Sequence, residues 1–235
     1  MRWFEQRPEA IAELEEILRR DYPTLHVFNI DNVITVRGTY AVRDAGAIID
    51  RYSLALTLPD EYPNELVDVK ELDGRIPNSL DRHVFPSGAL CLGVREELWL
   101  TMGGDFSVPR VLDMPVRSFL IGNSLIEQGE PWPAGDRTHG VPGMLEFYAG
   151  HLGATEPLAL VKFLVTLYQG KIRGHWACPC GSGKILRNCH KDAVRALQVV
   201  PKAVIRQTAL LAFDWLKKTG QVTTRSTAAA RPLIR

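Results

Sequence analysis

The sequence predicts an α+β protein. One amphipathic helix precedes four strand-like runs separated by short turns, an irregular stretch follows them, and the last third reads as helices around a compact Cys/His cluster. Helices and strands segregated along a chain, rather than alternating, are the pattern of α+β architecture. At 235 residues, 46% hydrophobic and 23% charged, the chain is long enough for one good core plus a small appendage.

Each element has its own signal. Between Pro8 and Arg20, Ile11, Leu14, Ile17 and Leu18 form one stripe with charged residues elsewhere, and Asp21-Tyr22-Pro23 stops the helix. Strands are expected over 26–30, 33–42, 48–58 and 66–72, with turn residues at Asp31-Asn32, Asp44-Ala45-Gly46 and Pro59 to Pro63. Such short connections favour an antiparallel meander, because parallel neighbours need crossovers of a dozen residues or more. From Asp73 to Trp99 periodicity fails while Gly74, Pro77, Asn78, Pro86, Ser87, Gly88 and Gly93 accumulate, which predicts a structured loop built for use. A helix is expected over 115–128 with Pro115 in its first turn, and a loop over 129–143 in which His139 is solvated. The 157–169 segment is apolar on nearly every side, as a buried helix is. Residues 200–218 place Val204, Leu211 and Trp215 on one helical face, and the Thr-, Ala- and Arg-rich end is expected to be loose.

Cys178-Pro-Cys180-Gly-Ser-Gly-Lys184 and Cys189-His190 provide three thiolates and an imidazole, a donor set suited to a closed, tetrahedral, structural Zn²⁺ site. Gly181, Ser182 and Gly183 let the chain turn sharply enough for cysteines two apart to face one ion. The spacing resembles the SEC-C metal-binding motif, which implies a zinc-folded docking knob. Cysteine usage of this kind, with no secretory signal and no apolar run long enough for a membrane span, points to a cytoplasmic protein. Charge is divided: residues 1–170 carry 15 Lys and Arg against 25 Asp and Glu, whereas residues 171–235 carry 13 against 2. A basic tail of this kind either docks on the acidic body, faces an acidic partner such as nucleic acid, or is a solvated surface.

The remaining cysteine, Cys91, lies in Pro86-Ser87-Gly88-Ala-Leu-Cys91-Leu92, with His83 eight positions before it and Trp99 after. Together with the helix, the meander and the Glu61-Tyr62-Pro63 turn before the fourth strand, this stretch resembles the ubiquitin-conjugating (ubiquitin-carrier) enzymes and their bacterial relatives. The resemblance spans about residues 7–128 in element order and implies a ubiquitin-conjugating-like domain over 1–150, followed by a helical zinc-containing region over 151–235. It implies that Cys91 holds a protein C-terminus as a thioester, which keeps acyl-transfer potential because a thiolate leaves readily. Where the family carries His-Pro-Asn, this chain has Asp81-Arg82-His83, so His83 replaces the asparagine. Its imidazole can donate to an oxyanion, act as a base toward the acceptor, lower the Cys91 pKa as a cation, or simply hydrogen-bond the loop backbone.

The expected function is thus a ubiquitin-conjugating-like transferase. Relatives of this kind in antiphage operons modify a cGAS-like nucleotidyltransferase through its C-terminus, which implies such a partner here. No nucleotide-binding glycine loop is present, so any activating enzyme is separate or dispensable. Two other readings stay open: a catalytically inactive carrier-like binding module, and a nucleic-acid or protein adaptor acting through the basic tail.

Overall fold

The computed structural model describes residues 2–133, 138–169 and 171–221. The fold is α+β, with one four-stranded antiparallel sheet and several helices. The chain divides into two compact units, residues 1–93 with 104–136 and residues 94–103 with 137–235. The expected loose end, residues 222–235, lies outside the described residues. Among the described residues no helix is long and apolar enough to cross a membrane.

The first unit opens with α1 (Trp3–Gln6) and α2 (Glu9–Asp21) and continues into the meander β1 (Leu25–Ile30), β2 (Val33–Asp44), β3 (Ala47–Thr57) and β4 (Asp68–Glu71), in sheet order β1-β2-β3-β4. Both long hairpins turn in two residues with positive φ, Asp31-Asn32 and Ala45-Gly46, the backbone that matches strand twist. Alternation buries Ile34, Val36, Tyr40 and Val42 of β2 and Tyr52, Leu54 and Leu56 of β3. Leu14 and Leu18 of α2 join them, each worth about 1.5–3 kcal/mol of apolar burial. Gly38 interrupts β2 because a Cβ there would lie 2.0 Å from the Thr24 carbonyl oxygen.

After the sheet, the unit resumes with α4 (Val108–Val111), a π-helical turn (Leu112–Val116) and α5 (Arg117–Glu127). The expected helix therefore has an additional N-terminal part. Pro115 sits inside the π turn rather than in a first turn, because Pro109 already occupies the helix start. A wider turn also accommodates the N–H that Pro115 lacks.

The second unit contains α3 (Arg95–Met102), α6 (Val141–Leu152), α7 (Pro157–Gln169), α8 (Lys191–Ala196) and α9 (Lys202–Lys218). Three helices here, α3, α6 and the short α8, were not legible as such. The irregular stretch ends at Val94, because α3 begins at Arg95; its apolar period is broken by Glu96, which is fully buried and accepts from Tyr148 Oη at 3.1 Å and from Thr208 Oγ1. The expected 129–143 loop gives way to α6 at Val141, since Pro142 suits a first helical turn and Gly143 lets the Thr138 carbonyl approach where a Cβ would stand 1.8 Å away. His139 is exposed. In α9 the buried face runs through Val204, Ile205, Thr208, Ala209, Ala212, Phe213 and Leu216, whereas Leu211, expected inward, is 45% exposed. Thr208 belongs to the core through its bond to Glu96, and a hydroxyl gives no hydrophobic signal. α7 is buried along most of its surface, as its composition predicts.

Candidate functional site

Two sites can be built from the residues upward, one in each unit. In the first, the chain leaves β4 and makes a short 3₁₀ turn over Leu80–Arg82, which ends on His83 in the left-handed conformation (φ 53°, ψ 42°). Histidine, asparagine and aspartate adopt this backbone more readily than most side chains do. The chain then folds back on itself. Phe85 N–H donates to the Ala89 carbonyl at 2.8 Å, Leu90 N–H to Val69 at 2.8 Å, and Cys91 N–H to the His83 carbonyl at 2.7 Å. His83 and Cys91 are thereby neighbours across a closed loop anchored to the edge strand β4 by Leu90 and by the Lys70–Ala89 bridge.

Cys91 is a half-buried free thiol. Burial pushes its pKa up, and a hydrogen bond with the Gly93 backbone offsets this only in part. The resting side chain is therefore a protonated thiol at neutral pH. The His83 ring packs against the Trp132 indole, 4.6 Å between centroids and inclined by 42°. Trp132 in turn lies over α5, where Gly122 leaves room for it: a Cβ on Gly122 would fall 2.8 Å from the indole.

A polar network holds the loop against α5 and β3. Arg75 makes a bidentate pair with Asp50 at 2.7 Å and 2.7 Å, bonds Glu127 at 2.7 Å, and lies over the Tyr52 ring. Arg82, next to His83, donates to the Asn123 side-chain oxygen at 2.8 Å. Asp50 also accepts from Ser124 at 2.7 Å, and Arg75, the largest cause, holds its carboxyl well below the usual carboxylate range. These residues were missed in the sequence because they lie 23 to 74 positions from their partners. Trp132 alone had a local signal, an aromatic between Pro131 and Pro133.

The second site gathers all four expected metal ligands. The segments around Ala177 and Ile185 pair as an antiparallel bridge, with Leu186 N–H donating to Trp176 at 2.8 Å and Cys178 N–H to Lys184 at 2.9 Å. Gly181 (φ 79°) and Gly183 (φ 74°) make the return at the tip. Cys178, Cys180 and Cys189 Sγ and a His190 ring nitrogen all lie within 4.8 Å of one another. Neighbouring sulfurs are 3.4 Å and 3.6 Å apart, and His190 Nδ1 is 3.2 Å from Cys178 and 3.1 Å from Cys189. Zinc–sulfur bonds of about 2.3 Å would set sulfurs roughly 3.8 Å apart in a tetrahedron. Donor type, number and spacing therefore fit a single metal ion and are compatible with zinc. The His190 ring is fixed edge-on to Phe163 at 5.2 Å. Burial raises the Cys178 pKa; for Cys180 hydrogen bonds, Ser182 foremost, outweigh burial and lower it.

In comparisons with known proteins, the chain matches no family model and no curated protein.

Proposed function

We infer that the chain is a ubiquitin-conjugating-like acyltransferase that carries a protein C-terminus as a thioester on Cys91. A structural zinc ion would be held by Cys178, Cys180, Cys189 and His190, and its part is to fold the second unit's knob rather than to react, because four protein ligands leave no open position. The resemblance extends the reading to a partner such as a cGAS-like nucleotidyltransferase, acted on in bacterial antiviral defence.

The observation that carries this inference is the 2.7 Å hydrogen bond from Cys91 N–H to the His83 carbonyl, which sets a thiol and an imidazole-bearing residue side by side on one anchored loop. Support also comes from the order helix, meander, irregular loop, helix, in which the loop follows the edge strand. In the proposed step the Cys91 sulfur attacks an activated acyl thioester, a new thioester forms, the old carbon–sulfur bond breaks, and the Cys91 proton ends on the released thiol. An acceptor nucleophile then takes the acyl group and returns the proton to Cys91. A thiol kept protonated by burial suits a carrier that should not react with random electrophiles between turnovers.

The left-handed backbone at His83 explains why asparagine and histidine can exchange there, so His83→Asn separates backbone role from imidazole role. Retained transfer in that variant assigns hydrogen-bond donation to residue 83; collapse assigns acid/base chemistry. The central test is Cys91→Ser, expressed with its genomic neighbours and weighed intact. A trapped ester adduct is expected. If neither wild type nor variant shows a thiol-dependent adduct, the chain is a carrier-like binding module, a reading that the missing asparagine favours.

A further inference from the structure

We propose that the metal knob of the second unit presents a binding surface for the phosphate backbone of nucleic acid. The surface is built from Arg173, Lys184, Arg187, Lys191 and Arg195, and it is independent of Cys91. All five are exposed, and none forms an ion pair among the described residues. Asp192 is the sole carboxylate between residues 171 and 213.

What distinguishes these cations from a solvated surface is that short backbone contacts fix the chain segments that carry them. Arg187 N–H donates to the Gly174 carbonyl at 2.9 Å, and its side chain covers Gly174, where a Cβ would lie 3.0 Å away; Arg173 is thus set beside Arg187 across the ladder. Lys184 stands at the turn, its carbonyl accepting from Cys178 N–H. Lys191 and Arg195 are i and i+4 on α8, a like-charge pair on one helix face. Like charges on a fixed backbone, with Asp192 as the one carboxylate among them, are stabilised by a ligand that brings a row of negative charges. A phosphate backbone does this and releases its condensed counterions on binding. An acidic peptide would supply charge without the regular spacing.

The test uses the full-length, zinc-loaded chain and fluorescent 20-nucleotide single strands and duplexes of mixed sequence, titrated between 50 and 300 mM salt. Five phosphate contacts predict a log–log salt slope of about −3.5 for single strands and about −4.5 for duplex, so the two sources are distinguished. Arg173→Gln with Arg187→Gln, and separately Lys191→Gln with Arg195→Gln, should each make the single-strand slope shallower by about 1.4. Zinc stoichiometry and an unchanged thermal transition establish that these variants are folded. Lys184→Gln, at the turn, provides a further variant should a pair unfold. Three outcomes overturn the proposal: no salt-dependent binding; slopes unmoved by the substitutions but abolished by removing residues 222–235; or equally tight binding of a poly-glutamate of the same charge, which would assign the surface to an acidic protein.

Discussion

At the scale of single residues, Cys91 and Gly122 make the sharpest expectations. Burial raises the Cys91 pKa, so its thiolate is scarce at neutral pH and grows as pH rises. The rate of alkylation by iodoacetamide should therefore have its inflection above that of a free cysteine peptide measured alongside. An inflection below the peptide's would mean that a cation, His83 foremost, governs the thiol. Gly122 occupies a helix interior, where glycine costs about 1 kcal/mol relative to alanine, yet the Trp132 indole lies where its Cβ would be. In Gly122→Ala the helical gain and the displaced indole should leave stability within about 1 kcal/mol of wild type. The ring-current shift of the His83 imidazole should nevertheless move toward its free value; an unmoved shift would show that Trp132 does not position His83. The Cys178, Cys180, Cys189 and His190 cluster was recognisable in the chain because residue type and local spacing bring its donors together. Arg75, Asp50, Arg82 and Asn123 were not, since each matters only through a partner that folding brings from far away.

At the scale of elements, local rules specify some pieces and tertiary contacts specify others. The meander follows from alternation and two-residue turns, and α7 from uniform apolarity. By contrast α3 conceals its inward face behind Glu96, and α9 turns an inward Thr208 toward the same carboxylate. The ladder between residues 174–178 and 184–188 is short, and on the proposed reading a bound metal would supply much of its order. Chelation of the loaded protein should abolish amide protection over residues 175–192 while the amides of β1–β4 keep theirs, as read by hydrogen exchange. Uniform loss of protection would mean that the ion supports the whole fold.

At the scale of the whole molecule, the two units are interleaved along the chain: residues 94–103 belong with 137–235, between two segments of the other unit. Leu98 and Met102 of α3 are buried, and Glu96 depends on Tyr148 and Thr208. A fragment ending at residue 150 lacks Thr208, and with it much of the core that covers α3. In that fragment residues 94–103 should exchange rapidly and become a site of proteolytic cleavage, whereas the sheet should stay protected; protection of α3 comparable to the full chain would show that α6 suffices to hold it. By itself the sequence determined the α+β class, the order and pairing of the strands, and the four side chains that gather into a candidate metal site, because alternation, turn chemistry and donor spacing act over a few neighbouring residues. Only the tertiary structure decided that His83 lies beside Cys91 beneath Trp132, that Arg75 and Arg82 tie their loop to α5, and that α3 joins the second unit. Those outcomes depend on hydrogen bonds and packing between residues remote in sequence, which no local pattern encodes.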